Sequence, residues 1–361
     1  MQIQEIDRNF QIQTSFAQED LQWFDGNCPP FTVVGVEYHV ESGCYLRLPQ
    51  EKAAAVSAEV ETLNQCTSGG RVYFQTDSTV IAIEAQMILD EPMAHMTYSC
   101  QAGFDLYGKD GQRWRYINTF IPQVGMQEGY ASLLQTSGSC KDYMIYFPLY
   151  SGVRQLRIGV QKGALLGPSQ ALPTALPVVF YGSSITQGGC ASRPGICYPA
   201  MVSRRMDMDF RNMGFSGACL GEQSMMETLS QIPMGAFVYD YDHNAPDADH
   251  LRHTHWQGYQ TIRAVHPEIP IILLTAPDSL QDNATFAYRR MIIQETFEKA
   301  KRMGDKNISY VRGDTFFPNE ERDSCTVDTR HPNDLGFYWM AGKVESALTD
   351  LIQRKYSHKT E

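Results

Sequence analysis

Ser184, which lies just beyond a short apolar stretch, is the first residue whose position suggests chemistry. Val178 to Tyr181 are β-branched or aromatic, a composition that predicts one buried strand, and Gly182-Ser183-Ser184 follows. Open α/β sheets place their ligands beyond the carboxyl ends of the strands. A serine held there can act as a nucleophile if the fold supplies a base and hydrogen-bond donors for the oxyanion.

A base and an acid occur together near the carboxyl terminus, in the stretch Asp328-Thr-Arg-His331-Pro-Asn. Histidine is the usual base for a serine nucleophile, and a carboxylate orients it. Two residues three apart in one loop can meet only if the loop curls, and the proline after His331 favours that curl. The alternative interpretation is that Asp328 caps a helix and His331 is an exposed loop residue.

Two further turns follow predicted strands, at Asn212 to Gly217 and at Asp242 to Ala245. Parallel strands place both turns at the same sheet edge as Ser184. The backbone N–H of Gly217 and the side-chain amide of Asn244 are therefore candidate oxyanion donors. Alternatively, Gly217 only permits a tight turn and Asn244 caps the next helix.

The order and rough spacing of these four blocks resemble the SGNH hydrolases, also called the GDSL family. The resemblance covers residues 175–355. In addition, Gly103-Phe-Asp-Leu-Tyr107 resembles the G-x-D-L-Y signature of a β-sandwich that precedes SGNH domains in one esterase subgroup. Two positions depart from the family pattern: Ser183 stands where an aspartate is usual, and Asp242-His243-Asn244-Ala245 replaces G-x-N-D.

The resemblance implies a catalytic triad of Ser184, His331 and Asp328. It also implies an oxyanion hole made by the backbone amides of Ser184 and Gly217 and the side chain of Asn244. No metal or organic cofactor is implied. The expected reaction is hydrolysis of a small acyl ester, with an O-acetyl group on a carbohydrate as the leading substrate by analogy with related two-domain esterases. An acyltransferase using the same acyl-enzyme and a non-catalytic carbohydrate-binding protein are the alternatives.

The pattern of apolar residues changes near residue 170, from short β-like runs to alternating strand and helix patterns. This change predicts two domains, 1–170 and 175–355. The first contains many short β-like runs separated by turn residues and is predicted to be a jelly-roll-like β-sandwich. It includes a hairpin around Lys109-Asp-Gly and one helix over Gln50 to Thr62. Gly163 to Pro177, with three prolines, is predicted to be a linker.

The second domain alternates apolar runs with helical patterns, which predicts a doubly wound parallel sheet in a flavodoxin-like three-layer arrangement. The predicted strands are Val178–Tyr181, Phe210–Met213, Ala236–Tyr241, Ile269–Thr275 and Ile308–Val311. The predicted helices are Pro199–Arg205, Gly221–Gln231, Asp247–Val265, Ala284–Met303 and Leu335–Gln353.

Composition excludes several classes of function. The 361 residues carry a net charge of −11, which disfavours a nucleic-acid partner or an anionic membrane surface. The amino terminus has no secretory signal pattern, no apolar run approaches the ~20 residues of a membrane span, and the nine scattered cysteines predict free thiols in the cytoplasm. A homo-oligomer remains open. His250, His253 and His255 are interpreted as a solvated helix face rather than a metal site.

Overall fold

The computed structural model describes residues 3–7, 20–89, 91–123, 125–277 and 284–357. Antiparallel strands dominate the first part of the chain, and parallel strands alternating with helices form the second. The predicted fold class, a β domain followed by a doubly wound α/β domain, is confirmed.

The first domain is built from short strands and a few short helices. Its strands are β1 Leu21–Asp25, β2 Thr32–Val34, β3 Glu37–His39, β4 Cys44–Leu46, β5 Arg71–Thr76, β6 Val80–Ile88, β7 Phe104–Asp110, β8 Arg113–Phe120, β9 Gly129–Gln135, β10 Lys141–Tyr146, β11 Gly152–Gln161 and β12 Leu166–Gly167. Its helices are α1 Ile3–Ile6, α2 Gln50–Ala54, α3 Ala58–Leu63 and α4 Tyr98–Ala102.

These strands form two main antiparallel sheets, in the orders β1-β11-β6-β9 and β12-β5-β10-β7-β8, and β2 also pairs with β5. Apolar side chains of both sheets share one core, in which Phe74, Ile83, Leu106 and Ile158 are fully buried. The period-two alternation of such residues is what two sheets packed face to face require.

Three sequence predictions in this domain can be checked locally. The predicted hairpin exists, because β7 pairs antiparallel with β8. The single helix over Gln50 to Thr62 is wrong: Ser57 is extended and its side chain accepts a hydrogen bond from Val60 N, which ends α2 and starts α3. The predicted linker contains β12, which pairs with β5 and so extends the sheet into that segment.

The second domain contains a five-stranded parallel sheet flanked by helices. Its strands are β13 Val178–Gly182, β14 Phe210–Gly214, β15 Ala236–Asp240, β16 Ile271–Leu274 and β17 Ile308–Val311, in the order β14-β13-β15-β16-β17. Its helices are α5 Ser184–Gln187, α6 Tyr198–Met206, α7 Gln223–Ser230, α8 Ala248–Val265, α9 Ala284–Arg302 and α10 Asp334–Ser357. Short 3₁₀ helices lie at Pro194–Ile196, Gly313–Thr315 and Asn319–Ser324.

The two faces of this sheet are buried in different cores. Val178 and Phe180 point to the face covered by α6 and α10, and Val179 and Tyr181 point to the face covered by α7, α8 and α9. This explains the continuous apolar runs, since a parallel sheet is covered on both faces. The first of these cores also contains residues of the first domain, including Tyr107, so the two domains are packed against each other.

Two general properties bear on the sequence predictions. None of the helices in the described residues is long and apolar enough to span a bilayer. All nine cysteines are free thiols, and Cys44 and Cys100 are among those that are buried.

Candidate active site

Ser184 lies two residues after the end of β13 and is the first residue of α5, a short helix that is not among the helices predicted from the sequence. The preceding Ser183 caps this helix, because its Oγ accepts a hydrogen bond from Ile185 N. A Cβ at Gly182 would lie 2.1 Å from Thr186 Oγ1, so only glycine allows the helix to start this close to the strand. The strand, the glycine and the cap together leave Ser184 half-buried at the carboxyl edge of the sheet.

The loop that carries Asp328 and His331 is closed by hydrogen bonds of its own. Asp328 Oδ1 accepts from Arg330 N at 3.0 Å and from His331 N at 2.7 Å, and Val327 N donates to His331 O at 3.0 Å. Thr329 has a φ of 66°, a left-handed conformation that tightens the curl. The predicted curl is therefore present, and the Asp328 carboxylate holds it through two backbone hydrogen bonds.

The curled loop brings the three predicted triad residues together. Ser184 Oγ lies 2.9 Å from His331 Nε2, and His331 Nδ1 lies 2.7 Å from Asp328 Oδ2. Burial alone would raise the pKa of Asp328, but hydrogen bonds from the His331 backbone and ring and from Arg330 lower it to about 2. An ionised Asp328 fixes the proton on Nδ1, so that Nε2 faces the serine as an acceptor.

The turn from Asn212 to Gly217 is hydrogen-bonded to α5, the helix that begins with Ser184. Asn212 Nδ2 donates to Thr186 O at 2.7 Å, and Ser216 N donates to Gln187 Oε1 at 3.0 Å. A Cβ at Gly214 would lie 2.2 Å from Gln187 N, which explains the glycine at that position. Gly217, the next residue after Ser216, is exposed, has a φ of 74° and faces open space.

The turn from Asp242 to Ala245 places Asn244 beside the turn from Asn212 to Gly217. Asn244 Nδ2 donates to Phe215 O at 3.2 Å. The side chain of Asp247 caps α8, so the alternative in which Asn244 caps that helix is wrong. A primary amide carries two hydrogens, and the contact with Phe215 uses one of them.

The ring of His243 packs beside this loop. Its ring lies edge-on to Phe286 with 5.6 Å between the ring centroids. Burial, and to a smaller extent the positive charge of Arg330, lowers the pKa of His243 to about 3, so the imidazole is neutral.

Two buried carboxylates behind the site were missed by sequence reasoning. Asp240 Oδ2 accepts hydrogen bonds from Thr186 Oγ1 at 2.9 Å and Tyr198 OH at 3.0 Å, and burial raises its pKa to about 6. Asp242 Oδ2 accepts from Ala276 N at 3.0 Å, and burial raises its pKa to about 7. Asp240 holds the nucleophile helix through Thr186. In the sequence, only the position of Asp240 at the end of an apolar run could have indicated this role.

Of the three histidines at the start of α8, His253 is exposed, as expected of a solvated helix face, whereas His250 is half-buried and His255 is buried. His255 is 1% exposed, stacks on Tyr239 with 4.6 Å between the ring centroids, and has its Nδ1 2.9 Å from Thr296 Oγ1. His250 Nε2 donates to Leu220 O at 2.7 Å. Across the described ranges, no cluster of His, Cys, Asp and Glu side chains could hold a metal ion.

Comparison with protein families divides the chain at the same place as the fold. Residues 175–349 match the GDSL-like lipase/acylhydrolase family, and residues 21–166 match the GxDLY domain, described as the N-terminus of SGNH-hydrolase-type esterases. A comparison with curated protein sequences gave no match.

Solved structures of similar proteins agree with this division. The chain is similar to a putative GDSL-like lipase from Bacteroides ovatus, with a TM-score of 0.83 and 27% identity over 92% of this chain and 98% of that one. It is also similar to a salicylyl-acyltransferase from a tetracycline biosynthetic pathway, with a TM-score of 0.75 and 18% identity over the same shares of the two chains. A family two carbohydrate esterase from Clostridium thermocellum, solved with cellohexaose, aligns with a TM-score of 0.56 and 14% identity over 79% of this chain and 93% of that one. The chain belongs to the SGNH, or GDSL-like, hydrolases and carries the GxDLY type of amino-terminal domain.

Proposed function

We propose that this protein is a serine esterase that hydrolyses small acyl esters through an acyl-enzyme on Ser184. The observation that carries the proposal is the unbroken hydrogen-bonded series from Ser184 Oγ through His331 to Asp328. A nucleophile, a base and an orienting carboxylate in this order form the arrangement that activates serine in unrelated folds.

In the first half of the proposed reaction, Ser184 Oγ attacks the ester carbonyl carbon. His331 Nε2 takes the serine proton, and Asp328 stabilises the imidazolium that forms. The negative charge on the carbonyl oxygen is stabilised by the backbone N–H groups of Ser184 and Gly217 and by Asn244 Nδ2. His331 then gives its proton to the departing alcohol, which leaves the acyl group on Ser184.

In the second half, a water molecule attacks the acyl-enzyme. His331 takes a proton from that water, the same donors stabilise the second oxyanion, and the proton returns to Ser184 Oγ as the carboxylic acid leaves. A neutral imidazole is required at the start of both halves, so activity is expected to decline on acidification.

The leading substrate class is an O-acetyl group on a carbohydrate. Support comes from the structural similarity to a carbohydrate esterase solved with an oligosaccharide, which by itself shows only the shared fold. Release of acetate from acetylated xylose or glucose, compared with esters of longer acyl chains on the same sugars, tests both the acyl length and the carbohydrate preference. A faster rate on long-chain esters of simple alcohols would refute the assignment to carbohydrates.

A second candidate is acyl transfer, favoured by the similarity to the salicylyl-acyltransferase. The two activities share the acyl-enzyme and differ only in the group that attacks it, water or an acceptor hydroxyl. Measuring products with and without added alcohols separates them, because a transferase forms a new ester at the expense of the free acid.

Turnover of p-nitrophenyl acetate tests the esterase proposal itself. We expect wild-type turnover, loss of that turnover in Ser184→Ala, and retention of most of it in Ser183→Ala, a matched control at the adjacent serine. A wild type without turnover would favour the alternative of a non-catalytic carbohydrate-binding protein. A fully active Ser184→Ala variant would refute the assigned nucleophile.

A further inference from the structure

The segment between the nucleophile helix and α6, residues 188–197, lies between the two domains and is held by the first of them. We call it the connecting loop. Its amino-terminal end is one turn from the nucleophile, because Gly188 N donates to Ser184 O at 3.0 Å. Within the loop, the Ser192 carbonyl accepts hydrogen bonds from Thr97 Oγ1 at 2.6 Å and from Ser99 Oγ at 2.8 Å, both in the first domain.

The aspartate of the G-x-D-L-Y signature contacts this loop through an ion pair and a backbone hydrogen bond. Asp105 is fully buried, and its Oδ2 accepts from Arg193 Nη1 at 2.7 Å and from Gly195 N at 2.8 Å. Its Oδ1 accepts from Thr119 Oγ1 on β8 at 2.6 Å. The backbone group that Asp105 satisfies, Gly195 N, therefore lies in the other domain.

Gly103 and Tyr107 of the signature also determine how the first domain contacts the connecting loop. A Cβ at Gly103 would lie 2.4 Å from Ser99 O, so glycine is required for β7 to leave α4 in this direction. Tyr107 OH accepts a second hydrogen bond from Arg193 Nη1 at 2.7 Å. A Cβ at Gly195 would lie 2.6 Å from that hydroxyl oxygen, which explains why the loop has a glycine opposite the tyrosine.

On its other side, the connecting loop is attached to the element that carries the base. Ser192 N donates to Asp334 Oδ1 at 2.8 Å, and Ser192 Oγ donates to Asp334 Oδ2 at 2.6 Å. Asp334 is the first residue of α10 and lies three residues after His331. The loop therefore joins the helix of the nucleophile to the segment of the base, and it is hydrogen-bonded to the first domain at Ser192, Arg193 and Gly195.

We propose that Asp105 is a positioning residue for the reaction, because its hydrogen bonds to Arg193 and Gly195 fix the connecting loop and thereby the Ser184–His331 contact. The inference rests on the proposed function of those two residues. It assigns the amino-terminal domain a part in catalysis and explains why its signature residues face the hydrolase domain. Displacement of a reacting group by about 1 Å can cost about 100-fold in rate.

A second buried ion pair between the domains provides a matched control. Arg71 pairs with Asp209 at 2.5 Å, and its side chain is fully buried while that of Asp209 is 18% exposed. In the Asp105–Arg193 pair the burial is reversed, since the carboxylate is 0% exposed and the arginine side chain 18%. Asp209 lies just before β14, at the amino edge of the sheet and hence opposite Ser184. Both pairs hold the domains together, but only one of them contacts the connecting loop.

The test compares Asp105→Asn and Asp209→Asn in the full-length protein. We expect Asp105→Asn to lower kcat by about 10- to 100-fold with KM changed less than about twofold, and Asp209→Asn to leave kcat within about twofold of wild type. Amide hydrogen exchange in the connecting loop should accelerate in the first variant and not in the second. Wild-type kcat in Asp105→Asn, or equal losses in the two variants, would overturn the proposal.

Ser192→Ala serves if Asp105→Asn does not fold. It removes the hydroxyl contact with Asp334 and keeps the backbone one, so kcat should fall by about three- to tenfold, the loss of one hydrogen bond. An unchanged kcat would overturn the proposal. A wild type without esterase turnover would refute the proposed function instead, and hydrogen exchange would then decide whether Asp105 fixes the loop.

Discussion

Replacing Asp328 with asparagine tests how the structure prepares His331 as a base. The carboxylate accepts three hydrogen bonds, from the His331 ring, from His331 N and from Arg330 N. An asparagine oxygen can keep the two backbone contacts, which leaves its NH₂ group facing His331 Nδ1. Since an NH₂ group only donates, Nδ1 would become the acceptor and the ring proton would move to Nε2.

The expected loss follows from that change of tautomer. A protonated Nε2 cannot accept the proton of Ser184 across the 2.9 Å contact. The imidazolium that forms during attack would also lose its ionic partner. In a serine protease the equivalent change lowers kcat by about 10⁴-fold, so we expect a loss of about 10³- to 10⁴-fold here, or about 4–5.5 kcal/mol of transition-state stabilisation.

Steady-state hydrolysis of p-nitrophenyl acetate provides the assay, with Asp323→Asn as the control because Asp323 is exposed and close in the chain. We expect the loss in kcat, a nearly unchanged KM, and wild-type kinetics for the control. A loss below about tenfold in a folded Asp328→Asn protein would refute the argument, because the wrong tautomer cannot support efficient general-base catalysis.

Three further predictions concern the oxyanion donors and the buried carboxylates. Asn244→Ala should lower kcat by about 10²- to 10³-fold with KM little changed, as measured by steady-state kinetics, and a loss under about threefold would remove Asn244 from the oxyanion hole. Gly217→Ala should destabilise the protein by about 1 kcal/mol in urea unfolding because φ is 74° there. Since a Cβ would face open space, abolished activity would contradict this account. Burial raises the pKa of Asp242 to about 7. The folded state therefore binds the Asp242 proton more tightly than the unfolded chain does. The free energy of unfolding that this proton contributes declines as pH rises from about 4 to about 7. Asp242→Asn should therefore raise the melting temperature more at about pH 8 than at about pH 5, and an equal effect at both would contradict the assigned shift.

Local patterns predicted the second domain well because each of its elements carries its own signal. Each strand is a continuous apolar run, and all five predicted strands overlap the observed ones, as do the five predicted helices. The positions of Ser184, Gly217 and Asn244 were also predictable, since these residues follow strands whose carboxyl ends share one edge. Asp328 and His331 lie well beyond the last strand, which ends at Val311, and their pairing was indicated by their spacing in one loop and by the family resemblance. The roles assigned to those residues await the experiments above.

The remaining features depend on contacts that no local pattern encodes. Ser57 divides the helical stretch from Gln50 to Thr62, because its Oγ accepts a hydrogen bond from Val60 N. His255 follows a polar pattern, yet it is buried against Tyr239 from a distant strand. Asp105 is recognisable as part of a signature, but its partner Arg193 is 88 residues away and in another domain. Such pairings are settled by tertiary packing.

Covalent labelling of Ser184 tests the central claim most directly. After treatment with a fluorophosphonate, digestion and mass spectrometry locate the modified residue. We expect an adduct on Ser184 in the wild type, no adduct in Ser184→Ala, and much slower labelling in Asp328→Asn because His331 no longer activates the hydroxyl. An adduct on a different residue, or labelling of Ser184→Ala at the wild-type rate, would contradict the account.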